Sequence, residues 1–296
     1  MEKIGVIGAG TMGNGIAHAF AQFGFQVTLA DVNEVALKKG IESIEKNMER
    51  QVSKEIITAD QMKEALSRIK AINSIDEQFK DCAVIVEAAS ENIEIKSSIF
   101  RKLDEICNPE CILATNTSSI SITRIASVTK RPEKVIGMHF MNPVPVMKLV
   151  EVINGFSTSK ETLEKIINLT EKLNKIPVPA NDFPGFVANK ILMPMINEAI
   201  ITLHEGVAGV KEIDQIMKLG MAHPMGPLQL ADFIGLDVCL SILRVLQDGF
   251  GNPKYAPSPL LVNMVMAGKL GVKSKSGFYD YAHGGKDLVV AREFQK

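Results

Sequence analysis

Residues 3–20 read KIGVIGAGTMGNGIAHAF, and this stretch decides the fold. The apolar run at residues 3–8 predicts a strand, and the run at residues 14–23 predicts a helix with one apolar face. A GxGxxG turn joins them, formed by Gly8, Ala9, Gly10, Thr11, Met12 and Gly13. In such a turn the first glycine permits a tight bend, the second admits a pyrophosphate, and the third lets the helix pack on the strand. The unpaired N–H groups of the helix N-terminus favour phosphate, so the stretch predicts a dinucleotide site.

A second predicted strand, residues 26–30, ends at Asp31. This acid follows the glycine turn at the distance where a carboxylate binds the ribose hydroxyls of a dinucleotide. Its charge would repel a 2′-phosphate, and no arginine follows immediately to bind one. The sequence therefore favours NAD as cofactor, with NADP as the alternative. A glycine turn with a purely structural role is the competing interpretation of the motif.

Four more apolar runs predict further strands of a mostly parallel, Rossmann-type α/β sheet, at residues 82–87, 111–114, 134–140 and 175–179. The charged, helix-prone residues 34–68 predict a helical pair inserted between strands of this sheet. We interpret the pair as a solvated helical arm. The alternative is that its basic residues bind a phosphate-rich ligand.

The composition changes at the segment DFPGF, residues 182–186. Helical periodicity follows at residues 186–205, 210–219 and 227–247, and no strong strand pattern lies among them. The chain is therefore predicted to join a Rossmann-type domain, residues 1–183, to an all-helical substrate and dimerisation domain, residues 184–296.

Composition restricts the class of protein. The 296 residues have a net charge of −1, which gives no general attraction to nucleic acid or to an anionic membrane. No apolar run is long enough to cross a bilayer, and the strand that begins at residue 3 leaves no room for a leader peptide. The 4 cysteines show no metal-ligand spacing and lie in largely apolar surroundings. These features predict a cytoplasmic protein with reduced thiols and no metal site.

The stretch GMHFMNPVPVMKLVEVI, residues 137–153, carries the candidate catalytic chemistry. Two apolar runs flank a turn that contains two prolines, so the strands they predict can lie side by side and bring His139 to Glu151. A carboxylate against one imidazole nitrogen fixes the tautomer, and the other nitrogen then accepts a proton near neutral pH. The competing interpretation is a structural histidine at a strand end, with Glu151 on a solvated face.

Polar residues also follow two of the other predicted strands. Glu91 and Lys96 come after residues 82–87, and the sequence NTSS, residues 116–119, comes after the next strand. Loops beyond the carboxyl ends of parallel strands face the ligand crevice, so these side chains are site candidates, with Ser118 placed to hydrogen-bond a substrate oxygen. The alternatives are solvated charges at Glu91 and Lys96 and a helix cap at Ser118 or Ser119.

Taken together, these segments resemble the short-chain L-3-hydroxyacyl-CoA dehydrogenases, and especially their bacterial 3-hydroxybutyryl-CoA branch. The resemblance covers essentially the whole chain and rests on GAGTMG, Asp31, NTSS, HFMNPVPVMKLVEV at 139–152, PGFVANK at 184–190 and HPMGPLQLADFIGLD at 223–237. It implies a Rossmann-type domain followed by an all-helical domain that forms a homodimer. It also implies reversible oxidation of (3S)-3-hydroxyacyl-CoA to 3-oxoacyl-CoA with NAD.

The resemblance further implies roles for individual residues. His139 corresponds to the catalytic base and Glu151 to its carboxylate partner. Ser118 and Asn189 correspond to residues that bind the reacting oxygen and hold the geometry of the site. The implied cofactor contacts are the Gly8–Gly13 turn, Asp31, Glu91, Lys96, Ser118, Asn142 and Lys273. The family's contacts to coenzyme A fall where this sequence diverges, so none is assigned.

Two rival functions share much of this pattern. A β-hydroxyacid dehydrogenase acting on a free acid would use a lysine on the first interdomain helix, and Lys190 stands near that place. An NAD-binding protein without turnover, like the lens crystallins related to this family, is the second rival. The complete set of catalytic candidates favours the acyl-CoA enzyme over both.

The first helix of the second domain suggests how the chain assembles. Its apolar residues exceed what one amphipathic face needs, and they include Met195, Ile196, Ile200 and Ile201. Excess apolar surface on a helix usually finds a partner, so the sequence predicts a homodimer through the helical domain.

Overall fold

A computed structural model of the protein describes residues 2–282 and 288–295. The chain divides into two compact units, Met1–Phe183 and Pro184–Lys296. The first is an α/β unit and the second is mainly helical. Among the described residues, no helix is long and apolar enough to cross a membrane.

The α/β unit is built on one sheet with the strand order β3-β2-β1-β4-β5-β6-β7-β8. Its strands are β1 (Lys3–Ile7), β2 (Gln26–Ala30), β3 (Ile69–Ile72), β4 (Val84–Glu87), β5 (Ile112–Thr115), β6 (Val135–Phe140), β7 (Leu149–Asn154) and β8 (Ile176–Asn181). Strands β1 to β6 pair in parallel, β7 runs antiparallel to β6, and β8 is parallel to β7. The chain reverses its direction of travel across the sheet between β1 and β4, and ligands bind beyond the strand ends at such a switch point.

The described helices of this unit are α1 (Thr11–Gln22), α2 (Glu34–Ser53), α3 (Ala59–Ser67), α4 (Ile93–Ile106), α5 (Ile122–Ala126) and α6 (Lys160–Lys172). Helix α1 begins inside the glycine motif, three residues earlier than the apolar pattern predicts. The motif's last glycine therefore lies within the helix, where a Cβ atom would fall 1.8 Å from the Gly8 carbonyl oxygen.

The sequence prediction of the helical pair was incomplete in two ways. Strand β3 follows the pair directly and was missed, because its four residues, IKAI, are too short for a periodic signal. The pair is also less solvated than predicted, since Ile44 and Met48 are fully buried and belong to the same core as α1. Only its outer face is exposed.

The second unit contains α7 (Ala188–His204), α8 (Val210–Gly220), α9 (Pro227–Ile234), α10 (Leu236–Phe250) and α11 (Pro259–Met266). The predicted third helix, residues 227–247, is two helices, because Gly235 has a φ of 104° that no helix accommodates. Helix α11 was not predicted. A two-stranded antiparallel sheet of β9 (Tyr279–Asp280) and β10 (Val289–Val290) also departs from the all-helical expectation.

Two buried aspartates organise the second unit. Asp214 accepts the N–H groups of Leu228 and Gln229 in the first turn of α9, at 2.8 and 2.9 Å. Asp232 accepts the N–H groups of Phe278 and Tyr279, at 3.0 and 2.9 Å, and so binds the C-terminal segment to α9. Burial raises the pKa of Asp232 to about 6 against the opposing effect of these hydrogen bonds.

Candidate active site

A cavity of about 500 Å³ lies at the carboxyl ends of β1, β2 and β4 in the α/β unit. Gly8, Gly10 and Asp31 line it, together with Ala89 and Ser90 from the loop after β4. Of these three strands, β1 and β4 lie on either side of the switch point of the sheet. The cavity is therefore where a doubly wound sheet binds the adenosine part of a dinucleotide.

The carboxylate of Asp31 is held in place by backbone groups on both sides. Its Oδ2 atom accepts the N–H of Ala9 at 2.8 Å, and its Oδ1 atom accepts the N–H of Asn33 at 2.9 Å. These bonds tie the end of β2 to the glycine turn. Each carboxylate oxygen has a second acceptor position, and so the group remains able to receive ribose hydroxyls.

The glycines of the turn differ in what surrounds them. A Cβ atom on Gly8 would lie 2.6 Å from the Ala88 carbonyl oxygen, and this glycine has a φ of 98°. Gly10 is exposed, and a Cβ atom there would meet nothing within 4 Å. Packing therefore explains why residue 8 is a glycine, whereas no packing contact requires a glycine at residue 10. Open space above Gly10 is what the approach of a pyrophosphate requires, so these residues fit a dinucleotide.

Glu91 joins the loop after β4 to the NTSS segment after β5. Its Oε1 atom accepts the N–H groups of Ser118 and Ser119 at 2.9 and 3.1 Å, and the hydroxyl of Thr117 at 2.5 Å. Burial alone would raise the pKa of Glu91, but Lys96 and these hydrogen bonds outweigh it and hold that pKa below its usual value. The carboxylate is therefore charged at neutral pH and fixes the backbone at Ser118.

Lys96 is buried, so the alternative interpretation of Lys96 as a solvated charge is wrong. Its side chain is 1% exposed, and its Nζ atom lies 2.8 Å from Glu87 Oε1 and 3.4 Å from Glu91 Oε2. Glu87 also accepts the Thr115 hydroxyl at 2.7 Å. Glu87 thus connects the buried ammonium to the end of β5, and the contact of Lys96 with the cofactor stays a prediction.

Strands β6 and β7 bring His139 and Glu151 together. The two residues are direct partners in the antiparallel register, and His139 Nδ1 lies 2.7 Å from Glu151 Oε2. His139 is 9% exposed and Glu151 only 3%, so the pair is largely removed from water. With Nδ1–H donating to the carboxylate, Nε2 carries the lone pair of the neutral ring. The solvated-face alternative for Glu151 is wrong.

Asn116 connects the NTSS segment to the histidine strand. Its Oδ1 atom accepts the N–H of Phe140, the residue after His139, at 2.9 Å. Asn116 belongs to the polar cluster of residues 116–119, but the sequence pattern predicts no role for it. The alternative of a helix cap at Ser118 or Ser119 is wrong, because the cap of α5 is Ser121, which accepts the N–H of Arg124. Both serines instead donate to Glu91.

The remaining predicted site residues lie in the turn after β6 and in the helical unit. Asn142 is exposed in the turn between β6 and β7. Three others belong to the helical unit. Asn189 is buried in the first turn of α7, the Nζ atom of Lys190 lies 4.5 Å from the centre of the Phe250 ring, and the Nζ atom of Lys273 lies 2.6 Å from Asp237 Oδ2.

Comparison with known proteins places this geometry in a family. The model of the 3-hydroxyacyl-CoA dehydrogenase NAD-binding domain matches residues 3–183, and the model of the C-terminal domain of the same family matches residues 185–281. The chain belongs to the 3-hydroxyacyl-CoA dehydrogenase family. This is an oxidoreductase family, and its N-terminal domain binds NAD.

Individual relatives extend the match to nearly the full length. The 3-hydroxybutyryl-CoA dehydrogenase of Bradyrhizobium diazoefficiens is 54% identical over 95% of this chain and 96% of its own. That of Clostridioides difficile is 51% identical over 94% and 99%. The crystal structure of (S)-3-hydroxybutyryl-CoA dehydrogenase from Ralstonia eutropha has a TM-score of 0.92 at 46% identity, and the match covers 95% of this dehydrogenase and 99% of that chain.

The space above Gly10 leads to a prediction about cofactor binding. Gly10→Ala should leave the thermal unfolding temperature unchanged, because the new methyl group contacts no protein atom. NADH affinity should fall about tenfold or more, because that methyl occupies the path of the pyrophosphate. Fluorescence titration with NADH measures this. Gly220→Ala, which also meets open space, is the matched control, and equal NADH affinity in the two variants would contradict the assignment.

Proposed function

We propose that the protein is a cytoplasmic, NAD-dependent dehydrogenase that reversibly oxidises (3S)-3-hydroxyacyl-CoA to 3-oxoacyl-CoA, with 3-hydroxybutyryl-CoA and acetoacetyl-CoA as the pair. The observation that carries the proposal is the buried His139–Glu151 contact in the unit that holds the dinucleotide cavity. The names of the relatives supply the substrate class. The 4 cysteines are all buried free thiols, which agrees with a reducing compartment.

In the proposed mechanism His139 removes the proton of the 3-hydroxyl group through Nε2. Glu151 holds the ring by its Nδ1 atom and stabilises the imidazolium that forms. NAD, when bound, supplies the acceptor for the hydride that leaves C3. In the reductive direction His139 donates the proton. Because both side chains are nearly excluded from water, the carboxylate acts on the imidazolium with little screening.

Ser118 and Asn189 are proposed to hydrogen-bond the oxygen whose charge changes during the reaction. Support for Ser118 comes from Glu91, which fixes its backbone N–H and hydroxyl. The role of Asn189 is carried over from the family. Its buried position in α7 agrees with a fixed side chain.

A basic groove supports an acyl-CoA substrate over a free acid. The groove has a volume of about 300 Å³, and it lies between the N-terminal turn of α1, helix α2 and the turn after β6. Ser43, Lys46 and Arg50 line one wall and Asn142 the other. Among the ion pairs of residues 2–282 and 288–295, none involves Lys46 or Arg50. Two exposed cations without a carboxylate suit the phosphates of coenzyme A.

The catalytic pair gives the first test of the proposal. His139→Gln keeps much of the ring's size but removes the titrating base, so kcat should fall about 10²- to 10⁴-fold while NADH affinity barely changes. Glu151→Gln should also lower kcat. It should move the inflection of the pH–rate profile to lower pH, because the imidazolium loses its anionic partner.

The double variant checks that the two residues act as one unit. Their effects on kcat should be strongly non-additive, as expected for side chains in direct contact. The control is Glu161→Gln, which removes an exposed carboxylate of α6. If Glu151→Gln left kcat and the pH–rate profile unchanged, Glu151 would have only a structural role.

The substrate class is tested with the basic groove. Acetoacetyl-CoA should be reduced, whereas free acetoacetate and 3-hydroxyisobutyrate should not support turnover. Arg50→Ala should raise the Michaelis constant for acetoacetyl-CoA about tenfold with little change in kcat, since binding to a remote phosphate is equal in ground and transition states. Glu49→Ala, the exposed neighbour on α2, is the control.

Turnover of the free acids alone would identify a β-hydroxyacid dehydrogenase, and NADH binding without turnover would identify a crystallin-like protein.

We also propose a homodimer formed through the helical unit. Two of the apolar residues of α7 that predicted the dimer, Ile196 and Ile200, do not reach a partner, because they are fully buried in the unit's own core. Better support comes from the exposed apolar side chains of Ile191, Ile216, Leu219, Phe233 and Met266. Light scattering at micromolar concentration should give twice the chain mass of 32.3 kDa. A monomer mass would refute the dimer.

A further inference from the structure

We propose that Lys175 is a positioning residue whose buried ammonium group fixes the turn between β6 and β7, and with it one wall of the substrate groove. We call residues 141–148 the β6–β7 turn. That this turn lines a substrate groove rests on the proposed function. The two hydrogen bonds of Lys175 to the turn, which we call the clamp, rest on the geometry of the α/β unit alone.

Lys175 lies just before β8 and is 8% exposed. Its Nζ atom donates to the carbonyl oxygens of Val144 at 2.6 Å and of Met147 at 2.7 Å. Among the ion pairs of the described residues none involves Lys175. Burying an ammonium without a carboxylate is costly, and two charge-assisted bonds to the turn offset that cost.

Among the described residues the β6–β7 turn has few other attachments, one of which is the N–H of Ile176, which donates to the Lys148 carbonyl oxygen at 2.8 Å. The N–H groups of Val146 and Met147 both donate to the Pro143 carbonyl, at 3.0 Å each, which closes the turn on itself. Val144 is 2% exposed and packs against Gly15 of α1. A Cβ atom added to Gly15 would lie 2.9 Å from the Cβ atom of Val144. The turn is thus held between α1 and the Lys175 ammonium. Its outer side carries Asn142 and lines the basic groove.

Among residues 2–282 and 288–295, the ionisable groups that face Lys175 are Lys148 and His18, and both are basic. Lys148 lies in the turn and donates to the Asn174 carbonyl at 3.1 Å. His18 lies in α1, is fully buried, and contacts Gln22 and Gln51 through Nε2. Burial, and then the charge of Lys148, lower the pKa of Lys175 to about 8. Above that pH the amine still donates hydrogen bonds but loses the charge that strengthens them, so the turn should loosen.

Kinetics with Lys175→Met, which keeps the stem but removes the donor, tests the inference. The Michaelis constant for acetoacetyl-CoA should rise about tenfold, equivalent to one charge-assisted hydrogen bond, while kcat changes little because the sheet holds His139 and Glu151. In the wild type this constant should rise as the pH increases through about 8, and the variant should show no such inflection. Lys148→Met, which removes an exposed bond to a carbonyl, should keep the wild-type Michaelis constant below pH 8, and its inflection should move to higher pH because Lys175 loses a neighbouring like charge. A Lys175→Met enzyme with the wild-type constant and pH dependence would overturn the inference.

Hydrogen exchange provides a readout that does not require turnover. Peptides covering residues 141–149 should take up deuterium faster in Lys175→Met than in the wild type, because the N–H groups bonded to Pro143 lose their support. If Lys175→Met does not fold, Lys175→Arg replaces it: the turn should stay protected, and the inflection near pH 8 should vanish because guanidinium stays charged. Unchanged uptake in Lys175→Met, or a retained inflection in Lys175→Arg, counts against the clamp. A wild type without acetoacetyl-CoA turnover refutes the proposed function and leaves the exchange result to decide the clamp.

Discussion

The antiparallel register of β6 and β7 is the constraint on which the candidate site depends. Because side chains alternate between the faces of a sheet, a shift of one residue would send Glu151 to the opposite face from His139. The register is fixed from both sides, since β6 pairs with β5 and β7 pairs with β8. A carboxylate that is 3% exposed needs a partner at that position, and His139 is that partner. The same sheet that forms the core therefore orients the imidazole.

Electrostatic contacts at the carboxyl ends of the parallel strands complete the site. Glu87 at the end of β4 binds the buried ammonium of Lys96 and accepts the hydroxyl of Thr115 at the end of β5. Glu91 then fixes the backbone around Ser118, and Asn116 binds the end of β6. Each link joins neighbouring strands, so the polar groups form one connected network from the cavity wall to the histidine strand. A network with its members satisfied is rigid, which is what a hydride-transfer site requires of its walls.

Much of the fold follows from patterns in the sequence, and the errors have physical causes. The glycine turn, Asp31 and the apolar runs predicted the sheet because buried parallel strands need continuous apolar residues. Strand β3, at the sheet edge, was missed because its four residues, IKAI, are too short for a periodic signal. The apolar residues Ile196 and Ile200 were assigned to a dimer interface, although they fill their own unit's core. Periodicity identifies a buried face but not the element that covers it.

The sequence by itself determined the dinucleotide-binding unit, the family and the candidate pair, because glycine, carboxylate and imidazole at fixed spacings have few other uses. It could not determine which charges are buried. Lys96 follows one predicted strand and Lys175 begins another, and only the tertiary structure shows that one pairs with a carboxylate and the other with two carbonyl oxygens. Burial depends on contacts between residues far apart in the chain, such as the 31 positions between Lys175 and Val144. Tertiary structure therefore decided the electrostatic roles that the sequence left open.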